Sequence, residues 1–106
     1  MSKEFVGFIN DQLFPRFHFQ SKNMFGETCL FSAGKIVAII NKDNQIFVKA
    51  NAQTQSHFQQ IGSTQYEYFS KGKWQKMHYW SIPDEAVEAP EMLQMWFELA
   101  MQALHR

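Results

Sequence analysis

Apolar positions in this chain recur first at helical spacing, then at strand spacing, and finally at helical spacing again. From Ser2 to Phe14, Phe5, Val6, Ile9 and Leu13 share one helical face. Ser2 is the expected N-cap. Pro15 ends the helix, because the residue before a proline is pushed out of the α region. The period changes from Lys22 onward. Met24-Phe25 runs into a turn or bulge at Gly26, Thr28 to Ala33 alternates, and Gly34 punctuates. Ile36-Val37-Ala38-Ile39-Ile40 is an unbroken apolar run rich in β-branched residues, which suits a central strand. Asn41-Lys42-Asp43-Asn44 is turn chemistry, and Gln45 to Ala50 is the returning strand. Asn51 is placed to cap a short surface helix reaching Gln60, which buries Ala52, Phe58 and Ile61 and stops at Gly62.

Two aromatic strands follow, Tyr66–Phe69 and Trp74–Trp80, joined by the basic turn Lys71-Gly72-Lys73. Ser81-Ile82-Pro83 leaves the sheet, and 84–88 is expected to form a turn of helix. The last helix starts at Pro90, a preferred first helical position, with Glu88 and Glu91 at the positive end of its dipole. Its apolar residues Met92, Leu93, Trp96, Phe97, Leu99, Ala100, Ala103 and Leu104 span an arc of roughly 160°, flanked by Met95 and Met101. A single sheet covers a stripe of about 100°, so apolar surface is left over for a partner, most simply a second copy of the chain. Met92, Met95, Trp96, Leu99 and Met101 are the interface candidates. The element order predicts an α+β two-layer domain over residues 1–106. Its mostly antiparallel sheet is flanked by N-terminal, short middle and C-terminal helices.

Composition narrows the function. The chain has 106 residues, among them eleven Phe, three Tyr and three Trp, enough for a stable core in one small domain. The net charge is zero, which opposes a strong non-specific grip on DNA or anionic membrane. The charge is unevenly spread: net −1 over residues 1–15, +5 over 16–80 and −4 over 81–106. Cys29 is the only cysteine, consistent with a reducing compartment, and its alternating surroundings read as a strand in which it is a small buried hydrophobe. No apolar run is long enough for a signal-peptide core or a membrane span, so a soluble cytoplasmic protein is expected.

Catalytic and metal chemistry find no support in the pattern. His18, His57, His78 and His105 are scattered and far from Cys29, whereas zinc needs clustered ligands. Asp84, Glu85 and Glu88 precede a helix and read as N-terminal charge rather than an acid–base pair. There is no nucleophile elbow, and the isolated glycines make no phosphate-cradling loop. No enzyme activity, cofactor or metal is expected. The basic-aromatic hairpin is the serious candidate: Lys71, Lys73 and Lys76, with Lys49, can contact phosphates while Tyr66, Tyr68 or Trp74 stack on bases.

Taken together the segments resemble the N-terminal domain of the TfoX/Sxy family, regulators of natural DNA competence in bacteria. The resemblance rests on Met24-Phe25-Gly26, the Gly34 turn, Ile46-Phe47-Val48-Lys49, Phe58 and Gly62. It continues through Tyr68 with Lys71-Gly72-Lys73, then Met77-x-Tyr79-Trp80-x-x-Pro83 and the closing helix from Pro90 with Leu93, Trp96 and Ala100. It spans about residues 4–104. It implies a cytoplasmic, non-enzymatic protein that assists transcription of DNA-uptake genes with the cyclic-AMP receptor protein or RNA polymerase. It also implies a fold similar to type III secretion chaperones, which often dimerise. Fuller family members carry a second, helical C-terminal domain, so this sequence resembles either a single-domain form or the first part of a longer chain.

Overall fold

The computed structural model describes residues 3–24 and 26–105. The expected Ser2 cap and the Phe25 member of the first motif lie outside the described residues. The elements are α1 (Lys3–Leu13), β1 (Gln20–Met24), β2 (Glu27–Ser32), β3 (Lys35–Ile40), β4 (Ile46–Lys49), α2 (Gln55–Gln60), β5 (Gln65–Ser70), β6 (Lys73–Ser81), a 3₁₀ turn (Asp84–Glu88) and α3 (Pro90–Leu104). All six strands form one open antiparallel sheet in the order β1-β2-β3-β4-β6-β5. The helices pack on one face, giving the expected α+β two-layer arrangement.

Turn chemistry sets the hairpins. Ala33-Gly34 and Lys71-Gly72 are two-residue connections in which both residues have positive φ (50° and 80°, 53° and 79°). That is the signature of a type I′ turn, whose twist matches the flanking strands. At the β3–β4 turn, Asn41 Oδ1 accepts from the backbone N–H of Asp43 and of Gln45, and Asn44 takes the left-handed conformation (φ 62°).

Alternation then sorts side chains between the two faces. Leu30, Ala38, Ile40, Ile46, Val48 and Trp80 point to the helices, where they meet Ile9, Leu13, Phe58, Leu93, Trp96 and Phe97. The pairing of β2 with β3 shifts between Leu30 and Phe31, leaving Val37 as one extra residue on β3. This bulge puts adjacent Val37 and Ala38 on the helix side and lets Ile36 and Ile39 share the opposite face.

The helix layer differs from expectation in two respects. First, α2 begins at Gln55 rather than just after Asn51. Asn51 instead fastens the preceding turn, its Oδ1 accepting from Gln53 and Thr54 while its own N–H donates to Thr54 Oγ1. Ala52 and Ile61 are exposed, so α2 is anchored by Phe58 alone, which sits between Trp96 (ring centroids 5.0 Å) and Trp80 (6.4 Å). Second, α3 is covered by more than the sheet. The 3₁₀ turn, α1 and Phe58 of α2 also pack on it, and Trp96 is only 5% exposed. The apolar surplus left on α3 is therefore narrower than its arc implies.

Candidate functional site

The sheet face opposite the helices is not a flat solvated surface. Cys29, Ile39, Phe47 and Tyr79 are buried there, ringed by half-buried Met24, Phe31, Ile36, Tyr66 and Met77. Among the described residues the apolar side chains packed on them all come from strands, so the sheet itself supplies the cover. A contact between its two ends shows how: the Tyr66 hydroxyl on β5 donates to Glu27 Oε1 on β2. Four strand intervals separate β5 from β2, which in a flat sheet is roughly 19 Å, farther than a tyrosine and a glutamate can span together. The sheet therefore curls, and β5 approaches residues of β1 to β3 across its concave face.

The curl creates a trough of about 870 Å³. Its floor is Cys29, Ile36, Ile39 and Met77; its end is the turn Asn41-Lys42-Asp43; one whole side is the run Tyr66 to Ser70. Tyr66 packs edge-on against Phe47 (5.2 Å), and the Tyr79 hydroxyl donates to the Ile36 carbonyl (3.1 Å). Burial pushes the Cys29 thiol above its ordinary range, with the Glu27 charge adding to the effect. Tyr66 is raised by burial and then by its bond to Glu27, and Tyr79 by burial and then by Cys29. A thiol held protonated is a poor nucleophile. Among the described residues no group of three or more His, Cys, Asp or Glu is placed to hold a metal ion, and no helix is long and apolar enough to cross a membrane.

Residues 11–104 match the model of the TfoX N-terminal domain. The chain belongs to the TfoX N-terminal domain family. The family is a regulatory one, which gives a competence-related regulatory role as the coarse functional assignment. No curated protein matches the chain significantly.

In this TfoX N-terminal domain the four candidate lysines separate into two places. Lys71, Lys73 and Lys76 are exposed at the tip of the β5–β6 hairpin. Lys49 is half-buried on β4, its ammonium 5.1 Å from the centre of the Tyr79 ring. Tyr79 lies six residues along β6 from Lys73, about 20 Å, so Lys49 is remote from the tip. Of the stacking candidates, Tyr66 is committed to the trough, while Tyr68 and Trp74 are exposed. Phe69, which the sequence reading did not single out, is 59% exposed and meets Trp74, 66% exposed, edge to face at 5.4 Å. On α3, Met92, Leu99 and Met101 are half-buried against the core and Trp96 is buried. Met95, 50% exposed, lines a shallow recess together with Ile61, the residue that follows α2.

The trough was not visible in the sequence. Its one sequence signal is that Cys29, Ile39, Phe47, Tyr66, Met77 and Tyr79 form a second apolar set, out of phase with the helix-facing one. A two-layer sheet with a single covered face would carry polar residues at those positions.

Proposed function

We propose that this domain is a non-enzymatic protein-interaction module, a competence-type transcriptional co-regulator that works in the cytoplasm with the cyclic-AMP receptor protein. The family match over residues 11–104 carries the reading. A groove whose floor is mainly apolar supports docking. In this reading the domain forms a homodimer through the α3 flank, with Met95 and the outer edges of Met92, Leu99 and Met101 meeting their counterparts and Trp96 as the buried support beneath. The test is affinity capture of the tagged domain from its own cell, followed by identification of co-purified proteins. Recovery of the cyclic-AMP receptor protein or RNA polymerase at stoichiometric level is expected. Their absence, with the domain intact and folded, refutes the partner assignment. A monomer at high micromolar concentration in sedimentation refutes the dimer.

One observation favours a second reading, direct nucleic-acid binding. The hairpin tip leaves Tyr68, Phe69 and Trp74 open to solvent among Lys71, Lys73 and Lys76, an aromatic platform beside cations. Single-stranded DNA binding is then expected to weaken as salt rises, because each phosphate contact releases counterion. No gel shift at low salt excludes it. Lys49 contributes little in either case, given its contact with Tyr79.

A further inference from the structure

The trough borders a free strand edge. Its side is formed by five consecutive residues, Tyr66 to Ser70. A strand lining a cavity with one face would contribute alternate residues only. A consecutive run means that the strand presents its edge, and β5 is the last strand of the sheet. The polarity of that edge follows from the hairpin. The two-residue turn makes Ser70 and Lys73 the closing hydrogen-bonded pair. Tyr68 and Gln75 are the next such pair. Glu67 and Phe69, opposite Lys76 and Trp74, therefore direct their N–H and C=O groups away from β6. Edge strands are usually blunted by lysine, proline or a bulge. β1, at the other end, has exposed Lys22 among polar neighbours, but β5 reads Gln-Tyr-Glu-Tyr-Phe-Ser, with one charge and no lysine or proline; its pairing with β6 is irregular between Gln65 and Glu67 and regular from Glu67 to Ser70.

We propose that the trough takes an extended segment of a partner protein, added to the sheet as a strand along β5. Backbone groups of Glu67 and Phe69 pair with the incoming strand. Alternate apolar side chains of that strand enter the floor formed by Cys29, Ile36, Ile39 and Met77. Asp43, Glu67 and Glu27 (which accepts from Tyr66) line the trough against one cation among the described residues, Lys42, so the positions between the apolar ones favour arginine or lysine. The inference rests on the interaction-module reading in taking the ligand to be protein, but the α3 flank plays no part in it.

The probe is a fluorescein-labelled peptide of alternating valine and arginine, followed by fluorescence anisotropy on the full chain. Its counterpart carries N-methyl groups on the backbone nitrogens that would face β5. The unmethylated peptide is expected to bind, with the methylated one and the Glu67→Pro variant each roughly tenfold or more weaker. Proline at 67 removes an outward N–H without touching the β5–β6 ladder. An alternating valine–glutamate peptide is expected to bind more weakly still. Equal binding of methylated and unmethylated peptides overturns strand addition, as does no binding of either. Should Glu67→Pro unfold, the peptide pair alone decides. Concentration-dependent dimerisation abolished by Glu67→Pro would assign the edge to a second copy and overturn the partner-segment proposal. Loss of the cyclic-AMP receptor protein from affinity capture leaves the peptide result standing, so the two readings fail separately.

Discussion

Replacing Phe58 by alanine tests how the helix layer is tied to the sheet. The ring is fully buried and lies between the indoles of Trp80 and Trp96. A buried Phe→Ala truncation costs about 3–5 kcal/mol, part in lost transfer energy and part in the cavity left behind. The upper half of that range applies here, because the two tryptophans belong to β6 and α3 and neither can collapse into the gap without moving its own element. A domain of this size has a total stability of about 5–15 kcal/mol, so the variant should be close to unfolding. Six residues cannot hold a helix unaided, so α2 should lose amide protection ahead of the rest. The assay is urea unfolding followed by tryptophan fluorescence, with Ile61→Ala as the control. Ile61 is exposed on the same segment, and its truncation should cost about 0.5 kcal/mol or less. A loss below about 1 kcal/mol for Phe58→Ala, or equal losses for the two variants, would show that α2 is not anchored by this ring.

Asn10→Ala should cost about 2–3 kcal/mol in the same assay. The Asn10 amide accepts from the Phe19 N–H (2.9 Å) and donates to its carbonyl (3.0 Å), and its loss strands two buried backbone groups. A cost under about 0.5 kcal/mol would refute that role. Stability should fall as pH rises above the ordinary thiol range of about 8.5, because Cys29, Tyr66 and Tyr79 hold their protons more tightly folded than unfolded. The unfolded state releases those protons first, so the stabilisation is complete below that pH and is lost through the raised folded values. Denaturation midpoints from pH 7 to 11 measure this, and a flat profile refutes it. Tyr66→Phe should flatten the curve in part. Gly34→Ala should cost about 1–2 kcal/mol in midpoint measurements through backbone strain alone, since an added Cβ meets nothing within 4 Å but φ is +80°. No measurable cost would mean that the turn relaxes.

The helix-facing layer was legible on the helices because one periodicity governs each: Ile9 and Leu13 on α1, and Leu93, Trp96 and Phe97 on α3, sit where their spacing places them, whereas the bulge on β3 sends Val37, Ala38 and Ile40 to the helices and Ile36 and Ile39 to the other face. Three things were hidden. β1 carries Gln-Ser-Lys-Asn-Met, an edge strand exposed along almost its whole length, so it has no apolar alternation to detect. The Ala52 and Ile61 positions on the middle segment are apolar by chemistry only; nothing in the spacing tells that Phe58 suffices. The trough depends on sheet curl, which arises from pairing between residues 39 positions apart and is beyond any local pattern. Periodicity gives the width of the α3 arc. What periodicity leaves out is that α1 and the 3₁₀ turn take up much of that arc.

The Tyr66–Glu27 bond has a consequence for how the chain matures. It joins the first hairpin to the last, and β5 reaches the sheet only through β6. Until that late hairpin has docked, the residues beneath it form an open, shallow surface with no overhanging wall. The recess is therefore absent from a nascent or half-assembled chain and present in the finished one. A ligand that needs both walls would therefore distinguish completed molecules from unfinished ones.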